Sequence, residues 1–201
     1  MKEIEKQISR NYKLLSEIKD IHISIKIEDE HKRKILLIGF FENALDYYQS
    51  ITLLIEQKLY HSALALIRVF FDNIVRGLYM YNIFSNDDIK HLYKSNNWDD
   101  KRFFKFKMNE MCEAIDKHYG KKYGEISFSK TKEIVYKDMC DYTHSGASQI
   151  TRSFNNVSLS IEANFSDKLI LSVLSDSHVM IAVFSSICFD QLNEKETKKN
   201  G

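Results

Sequence analysis

The chain contains no proline in 201 residues, which removes the residue that most often breaks helices and shapes irregular turns. Six glycines leave few easy positions for positive φ, so β architectures with many tight turns are disfavoured. Cysteine is scarce and odd in number. Cys112, Cys140 and Cys188 contain no C-x-x-C pair and make neither a disulfide framework nor a zinc signature. An excess of one charge is missing too: 29 Lys+Arg against 28 Asp+Glu leave +1, so any basic surface has to be local.

Uninterrupted apolar runs of membrane length are also lacking. Ile35–Ile55 contains Glu42 and Asp46, and Leu169–Phe189 contains Asp176 and His178. Each charge inside a bilayer would cost about 2.5–3.5 kcal/mol, so both stretches read as buried helices rather than spans. The first residues, MKEIEKQISRNYKLL, alternate charges at helical spacing and have no apolar run before a small-residue cleavage site. These features predict a reducing, cytoplasmic setting and no membrane partner.

With 44% hydrophobic residues the chain can bury a core without metal or disulfides. The pattern predicts one all-α domain over 1–201, a bundle of six to seven helices with a short β element after residue 145. A peripheral amphipathic helix covers 1–20, with Ile4, Ile8, Leu15 and Ile18 close to one face. Repeats of three and four residues from Phe41 through Ala44, Leu45, Tyr48, Ile51 and Ile55 predict a long helix over 28–58. The stretch 61–84 is apolar on almost every side and belongs in the centre of the fold. Ser85 to Asp88 cap a short helix to about residue 94, Ser127 or Ser129 caps one running to about 142–145, and Ser166-Asp167 caps a last helix over 167–192. Gly120 and Gly124 bracket a break, 156–165 alternates like a strand, and 193–201 is a frayed tail.

Between 101 and 137, ten Lys+Arg face five Asp+Glu, interleaved with Phe and Tyr. Cations neutralise phosphates and aromatics stack on bases, so Lys121, Lys122, Lys130 and Lys132, with Arg152 further on, are candidate nucleic-acid contacts. The same composition also suits a solvated helix face with core aromatics behind it.

The segment Lys137-Asp138-Met139-Cys140-Asp141-Tyr142-Thr143-His144 carries the candidate chemistry. On a helix, Val135, Met139 and Tyr142 share one face with Phe128, which packs inward, while Lys137, Asp141 and His144 share the opposite stripe. Ser145-Gly146 ends that helix, and its negative end favours a protonated His144. The plainer reading of His144 is a residue that only stabilises its helix end.

A helical domain in which a basic residue, a polar residue, a short spacer and then His fall on a late helix resembles the HEPN superfamily. Lys137, Asp138 and His144 are the matching residues, with Lys where the nuclease members carry Arg. The resemblance implies an all-α bundle that dimerises to face two motifs across a composite cleft. It also implies metal-independent RNA cleavage of the toxin or phage-defence kind. In that chemistry His144 moves the proton at the 2′-hydroxyl or leaving oxygen, Lys137 and Arg152 hold the phosphate, and Asp138 or Asp141 orients the imidazole.

A second constellation, Arg68, Asp72 and Arg76, has i, i+4, i+8 spacing in the central helix. It reads first as a semi-buried structural ion-pair network, and second as surplus positive charge for an anion or for a dimer mate. His178, in an apolar helix, reads as a satisfied core or interface histidine. The remaining histidines lack metal-ligand spacing, and no cofactor or metal is expected. The competing function class is a non-enzymatic, ligand-sensing or interaction module acting as a homodimeric regulator of a partner protein.

Overall fold

The computed structural model describes residues 2–22, 32–95, 106–120, 122–123, 126–133 and 165–193. They form α1 (Lys2–His22), α2 (Lys32–Glu56), α3 (Tyr60–Asn82), α4 (Asn86–Ser95), α5 (Met108–Tyr119) and α6 (Asp167–Asn193), with a further helical run over 128–133. The described residues are helices and turns without a strand, so the fold is all-α there. The short β element expected after residue 145 lies outside the described residues, as does the tail beyond Asn193.

The central unit is the antiparallel pair α2 and α3. A three-residue turn joins them, with Lys58 in the left-handed region at φ 59° and the Leu59 amide bonded back to the Leu54 carbonyl at 2.7 Å. That closure ends α2 with a Lys where glycine is the usual residue. Facing α2, α3 has Gly77, where no side chain holds Phe40 off. A β-carbon there would lie 2.7 Å from the Phe40 β-carbon and 3.0 Å from its Cγ. Beside it, the Asn73 amide donates to the Phe40 carbonyl at 2.6 Å. At the far end, the Arg33 guanidinium donates to the carbonyls of Met80, Tyr81 and Phe84 and to Asn86 Oδ1, placing a cation on the negative end of α3.

α6 and α1 complete the bundle around α2. Phe41 of α2 meets the rings of Phe184 and Phe189 edge-on, each at 5.7 Å between centroids. Tyr48 of α2 reaches His178, and Lys34 reaches the Leu192 carbonyl, so α6 runs antiparallel to α2. By length and composition α6 is also apolar enough to cross a bilayer, but here Ile170, Leu174, Ile181, Phe184 and Cys188 are buried in the core. α1 buries Ile8, Leu15 and Ile18 as its periodicity predicts, with Ile4 packed at the edge. It also buries Gln7 and Asn11, which the apolar pattern does not announce.

The expected caps are present. Ser85 Oγ accepts from the Asp88 amide at 3.1 Å while the Asp88 carboxylate accepts from the Ser85 amide and hydroxyl, a reciprocal box at the start of α4. Ser166 Oγ accepts from the Leu169 amide at 3.3 Å to start α6. α5 ends at Gly120, whose φ of 55° falls where a glycine is favoured. The sequence pattern left α5 undelimited inside its basic stretch. Met111, Cys112 and Ile115 nevertheless bury a clear face against α3.

Gly77→Ala is expected to destabilise the protein. The gain in helix propensity, about 0.8–1 kcal/mol, is smaller than the roughly 1–3 kcal/mol of forcing Phe40 aside in a packed core. A urea melt checks this: the midpoint falls with the slope unchanged, and an unchanged or higher midpoint disproves the close-contact account.

Candidate functional site

The helical run over 128–133 is where the predicted motif helix begins. Ser127 starts it: its Oγ accepts from the Lys130 amide at 3.2 Å, and its carbonyl accepts from the Thr131 amide at 2.9 Å. The second anchor comes from α5. Asp116 accepts from the Ser127 hydroxyl at 2.9 Å, the Phe128 amide at 2.7 Å and the Ser129 amide at 3.0 Å. Burial opposes ionisation of this carboxyl, but the hydrogen bonds from Ser129, Phe128 and Ser127 outweigh it and hold Asp116 below the ordinary carboxylate range. A carboxylate at a helix N-terminus also meets the positive end of the dipole. Sequence reading found the serine cap. It missed Asp116, which acts from eleven residues upstream.

The register of this run is settled in its first turn: Phe128 is buried and Lys130 is exposed. Lys130 lies at the rim of a cavity of about 330 Å³ walled mainly by Phe71, Ile74, Phe128, Met180 and Val183. Lys132 is half-buried instead, close with Asp116 and Asp72 to the Cys112 thiol. Lys122 pairs with Asp190 at 3.7 Å and sits 5.1 Å above the Tyr123 ring. Of the candidate nucleic-acid contacts, then, Lys130 points outward while Lys122 and Lys132 are engaged with protein groups. Lys121 and Arg152 lie outside the described residues, as do Lys137, Asp138, Asp141 and His144.

The row Arg68, Asp72 and Arg76 is present on α3, with the side chains of Arg68 and Asp72 about three-quarters covered. Arg68 Nε comes no nearer than 3.9 Å to Asp72 Oδ2, the outer limit of an ion pair, and buried Asp72 Oδ1 has no hydrogen-bond partner. Burial raises the Asp72 carboxyl although Arg68 and Arg76 pull it down. The Arg68–Asp72 contact is therefore a long one rather than a short bidentate bond.

A different polar cluster crosses the bundle between α1, α2 and α6. Asn11 Nδ2 donates to the Thr52 hydroxyl at 3.3 Å and the Leu174 carbonyl at 3.4 Å, while Asn11 Oδ1 accepts from Gln7 Nε2 at 3.0 Å. His178 Nδ1 lies 3.1 Å from both Asn11 Oδ1 and the Tyr48 hydroxyl. Burial, helped by the nearby Arg10 charge, lowers the His178 pKa, so the ring is neutral near pH 7. His178 is satisfied on its Nδ1 side, as its sequence context suggests.

Among the described residues, Cys112 and Cys188 offer no nucleophile. Burial, with Asp116 next in effect, pushes the Cys112 thiol up to about 12, and Cys188 is raised by its own burial. Among the described residues there is no cluster of three or more His, Cys, Asp or Glu fit to hold a metal ion.

A family model described as a family of unknown function, DUF6988, matches residues 41–197, most of the chain, and the chain belongs to that family. No curated protein and no solved structure matches it.

Asp116→Asn is expected to destabilise the protein by about 1 kcal/mol at pH 7 through the lost helix-start anchor. Because the folded carboxyl titrates below its unfolded value, this contribution is complete above about pH 4 and disappears as pH falls through the folded value. Parallel melts at pH 7 and pH 3 check the sign: the gap between wild type and variant narrows in acid, and a gap that widens refutes it.

Proposed function

We propose, from the premise of a family membership that leaves the activity open, that this chain is an HEPN-like RNA-binding module and metal-independent endoribonuclease. Its setting is cytoplasmic and homodimeric, in stress, toxin or phage-defence biology. The observation that carries the reading is the register at the start of the motif helix, with Phe128 inward and Lys130 outward behind the Ser127 cap. Lys130, Lys137 and His144 recur every seven residues, nearly two turns of an α-helix, so on a helix continued in this register an outward Lys130 would be the first member of a cationic stripe ending in the imidazole.

In this reading Lys137 and Arg152 hold the scissile phosphate and the charge that develops on it. His144 transfers the proton at the 2′-hydroxyl or at the leaving oxygen, and Asp138 or Asp141 sets the ring orientation. The 2′-hydroxyl is the internal nucleophile, which restricts cleavage to RNA. An ammonium at 137 grips phosphate as a point charge, where a guanidinium would supply a planar fork.

The alternative, a ligand-sensing homodimeric regulator, draws on a separate observation. The cavity behind Lys130 has mostly apolar walls, and about 330 Å³ is enough for a small ligand.

The test is a labelled single-stranded RNA in EDTA at about 50 mM salt, where phosphate contacts are strong. The expected outcome is retardation and cleavage. His144→Ala should slow cleavage by about 10²–10⁴-fold with helix content unchanged by circular dichroism. Lys137→Arg should tighten RNA binding. Absence of both binding and cleavage, or cleavage at full rate in His144→Ala, moves the reading to the ligand-sensing module.

A further inference from the structure

We infer that the groove between α1 and α6 is a binding site for a phosphate ester with a neighbouring hydroxyl, the unit a ribonucleotide presents. His178 Nε2 accepts the hydroxyl, and Arg10 and Lys13 face the phosphate. The inference goes beyond the RNA-cleavage reading, since neither the Lys137–His144 stripe nor the α3 row takes part in it.

The tautomer of His178 follows from hydrogen-bond bookkeeping in the core. The Leu174 carbonyl only accepts, so the amide nitrogen of Asn11 has to face it, which leaves Asn11 Oδ1 as the acceptor facing His178 Nδ1. Gln7 Nε2 donates to the same oxygen and fixes its position. The Thr52 hydroxyl is committed as a donor to the Tyr48 carbonyl at 3.0 Å, so toward Asn11 it accepts, in agreement. The Tyr48 hydroxyl, also 3.1 Å from this nitrogen, donates to the Asn11 backbone carbonyl at 3.5 Å, so His178 Nδ1 carries the hydrogen. In the neutral ring Nε2 then carries a lone pair.

That nitrogen has no hydrogen-bond partner among the described residues and is not among the buried unpaired polar atoms. His178 lines an open groove of about 450 Å³ with Gln7, Arg10, Lys13, Glu17 and Ser175. The charged groups facing the ring are Arg10, Lys13 and Glu17 from α1, and Tyr48 stands behind it on α2. Lys13 and Glu17 form an exposed i, i+4 pair at 3.7 Å, which is weak in water and opens readily. Arg10 makes no ion pair among the described residues, yet lies close enough to the imidazole to disfavour a second charge there. A bound phosphate would compensate that guanidinium, and a hydroxyl beside the phosphate would meet the Nε2 lone pair. The acceptor is held by a buried amide network and the cation by an exposed helix face, an arrangement made ready for a ligand that is both anionic and a donor.

The same unit occurs in a free nucleotide and in an RNA strand, and the experiment separates the two. The full chain, labelled with ¹⁵N-histidine, is titrated by NMR with 3′-AMP, with 2′-deoxy-3′-AMP and with a single-stranded RNA oligonucleotide. Before ligand, His178 is expected to show a protonated Nδ1 and a bare Nε2 at neutral pH. 3′-AMP should move the Nε2 resonance, the 2′-deoxy compound should bind at least about tenfold more weakly, and Arg10→Gln should weaken 3′-AMP by about tenfold or more. Arg10 is exposed on α1, so that variant keeps the fold. Movement by RNA that displaces 3′-AMP assigns the site to the strand, and movement by 3′-AMP alone assigns it to the free nucleotide. Either supports the site. A protonated Nε2, no movement at millimolar 3′-AMP, or equal binding by the deoxy compound and by Arg10→Gln overturns it. These readouts are independent of cleavage in EDTA, so failure here and failure of the nuclease reading are distinct results.

Discussion

The close approach of α2 to α3 at Gly77 and Phe40 is the constraint on which the rest of the bundle depends. Because α3 has no β-carbon there, Phe40 fits against its backbone and Asn73 reaches the Phe40 carbonyl. That spacing lets Phe41, one residue on, face Phe184 and Phe189, and so seats α6 on α2. A wider separation would loosen the aromatic contacts, because small volume changes in a packed core are felt across neighbouring elements.

Much of this was legible in the amino-acid pattern. Repeats of three and four residues marked α2, an almost wholly apolar surface marked α3, and Ser85, Ser127 or Ser129, and Ser166 announced helix starts by local chemistry. The all-apolar character of α3 correctly put it at the centre. α5 was obscured because its Lys, Glu and His residues outnumber the three residues it fully buries, so composition hid the periodicity. Asp116 was invisible for another reason. It caps a helix that is not its own, and no local pattern encodes a partner beyond a loop. The polar core was equally hidden, because Asn11 and Gln7 on an amphipathic helix look like ordinary solvent-facing positions until α2 and α6 close over them.

Two kinds of enclosed polarity coexist in the protein. Around Asn11 the groups satisfy one another, each donor meeting an acceptor, and the cluster defines how α1 sits across α2 and α6. Around Asp72 one carboxylate oxygen has no hydrogen-bond partner, and the Arg68 contact lies at the edge of ion-pair range. Satisfied networks rigidify a core, and incomplete ones occur where a structure has work to do beyond holding itself together.

Arg33 has a mechanical consequence. By grasping the carbonyls that end α3 and reaching on to Asn86, it fastens the start of α2 at the end opposite the short turn through Lys58. The two long helices are then latched at both extremities, so neither can peel away from the other by fraying at a tip. Disassembly has to start with the outer members of the bundle, which gives the molecule a resilient spine whose periphery is free to breathe while its centre holds.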